Sequence, residues 1–370
     1  MSRFGTPRQS AWKWLHLDPW LTGMLALLAA VGIATVYSAT NADADFALAQ
    51  LQRIGIGFAA LLIVARIPPQ VYHGLALPGY AVCLLLLVGV HLFGTEVNGA
   101  QRWLNIGGVR LQPSELMKIL LPLALSAMLA PARWPLSLLN LFGGLVLIVL
   151  PVALIGLQPD LGTALLVAAP GGLLIFLAGL RWKWLMAMTV AAFAALPLLW
   201  QAMHEYQRAR VLTLFNPESD PHGAGYHIIQ SKIAIGSGGL QGQGWMQGTQ
   251  AQLDFLPEAH TDFIFAVFAE EHGLIGALLL MALYVAICGR GLYIANQSED
   301  RFGRLLVSTL SITVFVYVFV NIGMVSGILP VVGVPLPFMS YGGSSVVSLA
   351  VAFGLIMSVR AHSRPGLGML

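Results

Sequence analysis

Long uninterrupted apolar runs recur along this 370-residue chain, and they constrain its fold more than any other feature. A helix needs about 20 apolar residues to cross a bilayer, and the sequence supplies such runs at roughly 19–40, 51–66, 74–93, 113–130, 137–156, 162–180, 184–203, 263–289, 305–328 and 343–360. A β-barrel needs ~10-residue alternating segments instead. These runs are continuous and rich in Leu and Ala, so an all-α, ten-helix polytopic bundle is expected. Only 9% of the residues are charged, against about 25% in soluble domains, so the chain has too few charges to coat itself in water. The first run follows Arg3, Arg8 and Lys13 and is longer than a signal-peptide core of roughly 7–15 residues. It reads as an uncleaved span. Cys83 and Cys288 lie within apolar segments and read as small buried hydrophobes.

Ten spans put both ends of the chain on one side, and the positive-inside rule makes that side cytoplasmic. The chain then reads as one membrane domain, 1–370, with a cytoplasmic N-terminus (1–18), a large outer loop (204–262) and a cytoplasmic C-terminus (361–370). Twelve of the 19 Lys and Arg residues are explained by this topology. Arg53, Arg102, Arg110, Lys118, Arg208, Arg210 and Lys232 are not. They lie outside or within the membrane, and an anionic ligand is the simplest reason for cations placed there.

The 204–262 segment carries Tyr226, Trp245, Phe255 and other apolar residues, so an ordered lid is expected, with an interfacial helix over Gly225–Gly236. The glycine cluster Gly236–Gly244 leaves two readings, a turn-rich loop or backbone amides cradling a phosphate. It follows no βαβ strand, so it is not a dinucleotide fingerprint. There is no Walker A sequence, hence no visible nucleotide chemistry, and His204-Glu205 is not a His-Glu-x-x-His zinc site.

Polar residues inside or at the edge of spans are functional candidates. Glu115 and Lys118 are three apart and share one helical face. Asp160 follows Pro159 at a helix start, where a carboxylate serves as a cap or points at Arg208 or Arg210. Glu258, His260 and Asp262 crowd three titratable groups where the large loop meets a span. Low dielectric and like charge raise a carboxylate pKa, which tunes a general base toward neutrality. A plain helix cap by Thr261 or Asp262 is the alternative. Glu270 and Glu271 cannot share one face, so at least one is expected to meet another span. In the last loop, Pro330, Pro335 and Pro337 break any helix. That loop and Ser344 beyond it read as a wall of the same outer site.

These segments resemble the SEDS family (shape, elongation, division and sporulation). The resemblance rests on Gly99–Leu104, Gln112–Glu115 with Lys118, Gln158–Thr163, Pro217–Gly244, Phe255–Glu271 and Gly323–Gly343, in one order over nearly the whole chain. The Pro217–Lys232 stretch favours the rod-shape branch over the division branch. The resemblance implies a peptidoglycan glycosyltransferase of the bacterial inner membrane that polymerises lipid II on its outer side. It places the essential aspartate on Asp262, the charged span-four pair on Glu115 and Lys118, and the outer arginine and tryptophan on Arg102 and Trp103. Arg102, Arg208, Arg210 and Lys232 are then candidates for the diphosphate, with a divalent cation (Mg or Mn) as a candidate cofactor. Implied partners are membrane lipid, a class B penicillin-binding protein (a transpeptidase) and other elongation proteins, but no nucleic acid. A lipid II flippase and a non-catalytic scaffold are the rival readings.

Overall fold

The computed structural model describes residues 15–363 apart from 98, 99, 107, 108, 159, 204, 221, 222, 254 and 257. Arg3, Arg8, Lys13, Pro159, His204 and Arg364 therefore lie outside the described residues.

The chain is built of helices. The first three are α1 (Pro19–Ala39), α2 (Ala44–Arg66) and α3 (Pro69–Phe93). After a small sheet come α4 (Pro113–Leu129), α5 (Leu138–Leu157), α6 (Leu161–Leu177) and α7 (Trp182–Ala202). The large loop holds α8 (Glu205–Phe215), a 3₁₀ turn (Pro217–Ser219), α9 (Ala224–Ser237) and the single turn α10 (Thr249–Gln252). Last come α11 (Ile264–Gln297), α12 (Arg301–Val325) and α13 (Ser344–His362). By length and composition, seven of these, α1, α2, α3, α5, α11, α12 and α13, are long and apolar enough to cross a membrane. The runs expected at 113–130, 162–180 and 184–203 are occupied by α4, α6 and α7, which do not reach that measure.

Two details depart from the sequence expectation. Helix α2 starts at Ala44, seven residues before the apolar run, because Asp43 caps it by accepting from Asp45 N at 2.8 Å. Asp45 and Gln50 interrupt its otherwise apolar first seven residues, so the helix extends beyond the expected span. The all-α expectation also missed a small antiparallel sheet, β1 (Thr95–Val97), β2 (Ala100–Ile106) and β3 (Val109–Leu111), in that spatial order. Trp103 pairs with Thr95 and Leu104 with Leu111.

Two large apolar cores fill the bundle, beside a small cluster of Leu166, Tyr317 and Val334. One joins α1, α2, α11, α12 and α13, and the other joins α3, α4, α5 and α6. Helices α2 and α13 pack closely because small residues line the seam. A side chain on Gly57 would meet Val346 and Ala350, and one on Gly354 would meet Leu61 and Val64. Small residues are the usual means of close helix approach in lipid. At one end of the bundle the fully buried Asp18 caps α1 at Leu21 N (2.7 Å) and takes ion pairs from Arg290 of α11 (2.9 Å) and Arg360 of α13. Three helix ends are tied there by one carboxylate. The opposite end carries the sheet, the large loop and the 326–343 loop.

Candidate active site

The site grows from the point where the large loop turns into α11. Residues 258–263 form a tight turn in which Glu258 adopts φ +53°, a left-handed conformation that a non-glycine residue holds only at a cost of about 1–3 kcal/mol. The Glu258 carbonyl accepts from Thr261 N (3.1 Å), and its carboxylate accepts from Thr261 Oγ1 (2.7 Å). Thr261 is thus engaged within the turn, and α11 begins with no side-chain cap. The capping alternative for Thr261 and Asp262 is corrected: the Asp262 carboxylate does not serve the helix end.

Asp262 instead lines a cavity of about 430 Å³ together with Arg210, Thr213, Asp220, His227 and Glu258. Phe263 and the loop residues Val331 and Gly333 complete its wall. Gly333 adopts φ +70°, and a Cβ there would stand 3.3 Å from Asp262 Oδ2, so glycine lets the loop lie directly against the carboxylate. Burial, and secondarily the Glu258 charge, push the Asp262 pKa up to about 6, while Arg210 pulls it down. This is the environment that makes a carboxylate a base near neutral pH.

His227 and Asp220 in this cavity were not singled out by sequence reasoning. His227 stacks on Phe263 with ring centroids 5.5 Å apart. Burial lowers its pKa, and Glu258 and Asp220 oppose that shift, so the neutral ring is favoured. Its sequence signals were membership of the amphipathic 225–236 stretch, which is α9 in the structure, and of the Pro217–Lys232 stretch that carries the resemblance.

The other expected residues fall into separate groups. Asp160 caps α6 at Thr163 N (3.1 Å) and lies 3.5 Å from Arg102 of β2, so its cationic partner is Arg102 and not Arg208 or Arg210. The turn after it abuts the cavity wall, since a side chain on Gly162 would meet Val332. Trp103 is the half-buried neighbour of Arg102 on β2. Glu115 and Lys118 pair at 2.6 Å, buried inside the bundle; Ser348 Oγ donates to Glu115 Oε2 (3.0 Å), and Lys118 Nζ lies 5.2 Å from the centre of the Tyr317 ring. Arg208 donates to the carbonyls of Trp200 (2.8 Å) and Gln201 (2.6 Å), which close α7. Exposed Lys232 lies against Gly327, and exposed Ser344 begins α13. His260 makes edge contacts with Phe46 and Tyr341.

Of the two readings of the glycine cluster the turn-rich loop holds, with Gly239, Gly242 and Gly244 at positive φ, and the phosphate cradle does not. The N–H groups of Gln243 and Gly244 donate to the carbonyls of Glu270 (2.9 Å) and Glu271 (3.0 Å). Leu274 N and Ile275 N donate back to Gly239 and Leu240. The loop is stitched into a break of α11 at Gly273 (φ 64°, ψ −165°), and these amides are not free for a phosphate. The adjacent acids brace the same seam. Glu270 accepts from Thr249 Oγ1 and Gln250 N (both 3.1 Å), and Glu271 accepts from Met246 N (3.0 Å) and from Ser38 of α1. Among the described residues, no three His, Cys, Asp or Glu side chains converge as a metal site.

Known proteins share this architecture. The family pattern of the FtsW, RodA and SpoVE cell cycle proteins matches residues 11–365. The peptidoglycan glycosyltransferase MrdB of Escherichia coli K12 is 50% identical over 358 residues, covering 96% of this chain and 97% of that protein. A probable peptidoglycan glycosyltransferase FtsW of Geobacter metallireducens is 37% identical over 353 residues, 92% of this chain and 94% of its own length. Among solved structures, a chain from a peptidoglycan synthase complex, studied for structural coordination of polymerization and crosslinking, superposes with TM-score 0.81 at 31% identity. The match covers 93% of this chain and 97% of that one. The rod shape determining protein RodA of Thermus thermophilus gives 0.70 at 29% identity, with 93% and 96% covered. With the pattern spanning nearly its whole length, the chain belongs to the FtsW/RodA/SpoVE family of multi-pass membrane proteins.

Proposed function

We propose that this chain is a peptidoglycan glycosyltransferase that polymerises lipid II during cell-wall elongation, with Asp262 as general base. One observation carries the reading. A carboxylate at a helix start is not spent on the helix but turned into a cavity, between an acid that raises its pKa and an arginine. The naming of the 50% identical relative as a peptidoglycan glycosyltransferase supports the same chemistry.

In this mechanism the Asp262 carboxylate removes the proton from the acceptor sugar hydroxyl. That oxygen attacks the anomeric carbon of the growing chain's terminal sugar. The bond from that carbon to the diphosphate oxygen breaks, and the diphosphate leaves with its lipid. Direct displacement inverts the α-linked donor to a β-1,4 product. Arg210, in the same cavity, offsets charge on the leaving diphosphate, where electrostatic stabilisation is most effective. Glu258 keeps Asp262 basic. The Arg102–Asp160 and Glu115–Lys118 pairs hold the neighbouring walls.

The proposal includes ten spans, both termini in the cytoplasm, and the cavity on the outer side, an orientation that the distribution of basic residues supports. It also includes a class B transpeptidase as partner, because the superposing solved chain comes from a synthase complex that couples polymerization to crosslinking.

The test is Asp262→Asn assayed on lipid II in detergent, where no vesicle barrier exists. Removing a general base costs about 10²–10⁴-fold in rate, while a monodisperse, folded variant is expected. A folded variant with full activity defeats the assignment. Lipid II movement across vesicles by a protein that makes no polymer identifies a flippase instead.

A further inference from the structure

A second basic position, outside the Asp262 cavity, has no chemistry assigned to it. Arg53 lies in α2, nine residues from its start, or about 14 Å along the axis at 1.5 Å per residue. Gln50 and Gln52 stand close before it in that helix, and the apolar run 54–65 follows directly. Arg53 borders Gly343, where α13 begins, and so stands near the end of a neighbouring span. Its guanidinium carbon lies 4.0 Å from the centre of the Tyr341 ring. Among the described residues it has no carboxylate partner and no hydrogen bond. The acids of its own helix start, Asp43 and Asp45, are more than two turns away.

The usual fate of such an arginine is to extend along the helix toward water. Here it lies on a ring that is fixed from several sides. Tyr341 N donates to His260 O (2.8 Å), and the Tyr341 ring packs against Phe46 and His260. Fully buried Gln50, one turn before Arg53, donates to Ser340 O (3.0 Å). Half-buried Arg53 also borders exposed Gly343, where a Cβ would come no nearer than 3.8 Å to it. Stacking on an aromatic face occupies the plane of a guanidinium and leaves its N–H edge open for bidentate contact with phosphate.

We infer that Arg53, held on Tyr341, is a docking point for the phosphate group of a lipid at the bilayer edge, separate from the Asp262 cavity. The inference rests on the polymerase reading for its biological sense. Transfer between two lipid-linked chains brings two phosphorylated lipids to one centre, and Arg210 in the Asp262 cavity faces one of them. Tyr341 touches both Arg53 and His260, and His260 is two residues from Asp262. A lipid held there keeps its tail in the bilayer while its sugars reach toward the carboxylate.

The experiment uses the full chain in nanodiscs with undecaprenyl diphosphate as one probe and phosphatidylglycerol as another, in a phosphatidylcholine background. Arg53→Gln is expected to weaken undecaprenyl diphosphate binding by about tenfold or more, as the loss of a charge-assisted bidentate contact implies. Arg53→Lys, which keeps the charge but not the fork, is expected to fall between and to serve if the glutamine variant does not fold. A loss confined to undecaprenyl diphosphate identifies the substrate lipid as the occupant, and an equal loss for phosphatidylglycerol identifies ordinary phospholipid. Unchanged binding of both probes by a folded variant overturns the inference. The readout is binding and not polymer, so failure of the Asp262→Asn test would leave this result standing.

Discussion

Asn321 of α12 donates through Nδ2 to the backbone carbonyl of Asp262 at 2.9 Å and to that of Val334 at 2.6 Å. One fully buried amide thereby ties the turn bearing the proposed base to the loop that walls its cavity. Asn321→Ala leaves two carbonyls without their donor, each unsatisfied buried group costing about 1–3 kcal/mol. The expected result is a lower melting temperature and a polymerisation rate that falls in kcat more than in KM, because the base is displaced while the substrate's other contacts remain. Thermal unfolding in detergent and steady-state kinetics on lipid II check both parts.

A second expectation concerns the break in α11. Gly273 occupies a backbone region open essentially to glycine alone, and a Cβ there would collide with the backbone of Leu240 and Gly242. Gly273→Ala is expected to cost about 1–3 kcal/mol from the dihedral alone, with the collision added, and to expose 238–252 to protease. Gly289→Ala in the same helix, where a Cβ meets nothing within 4 Å, is the control and should be neutral or mildly stabilising. Equal effects at both positions would refute the stitched seam.

How far the sequence revealed this arrangement differs from residue to residue. The helices were legible because lipid tolerates no unpaired backbone, so every span must be one long apolar run. The start of α2 was not, because Asp45, Gln50, Gln52 and Arg53 interrupt its first ten residues and a capping acid sets its boundary. Asp262 stood out because three titratable side chains crowd a loop–helix junction. His227 and Asp220 did not, since nothing in their local pattern shows that α9 and the turn before it fold back against Phe263. Topology flagged Arg208 as an outer cation, but it cannot tell where a guanidinium points, and this one closes α7. The glycine cluster owes its role to a break at Gly273, about 30 residues downstream, a pairing no local motif encodes.

The buried pair in α4 yields a third prediction. If Glu115 and Lys118 served only each other, exchanging them would restore what either single change loses. Each has further company: Ser348 donates to Glu115, and Lys118 faces the Tyr317 ring. A lysine at 115 cannot accept from Ser348, and a glutamate at 118 meets the negative face of an aromatic ring. Either single removal should cost about 3–5 kcal/mol, the range for breaking a buried ion pair. The double exchange Glu115→Lys with Lys118→Glu should recover less than half of that. Full recovery in thermal unfolding would show an isolated pair.

The last prediction joins pH to both rate and stability through Asp262. Its pKa in the folded chain is about 6, raised from an ordinary 3.8 chiefly by burial and then by Glu258. A general base works in its ionised form, so polymerisation by the intact protein should rise with pH and reach half its plateau near pH 6. Stability moves the other way. A carboxyl whose folded pKa is raised favours the protonated form in the folded state, so its relative stabilisation is present below about pH 4 and is lost as pH climbs through 6. Asp262→Asn is neutral at every pH and escapes that loss. The variant should therefore match the wild type in melting temperature near pH 4 and exceed it at pH 8, while making little polymer at either. An aspartate serving the fold shows the reverse, with the variant less stable at pH 8 than the wild type. Measuring melting temperature and rate on the same two proteins across this range separates a base held ready at an energetic cost from a residue that merely supports the helix start.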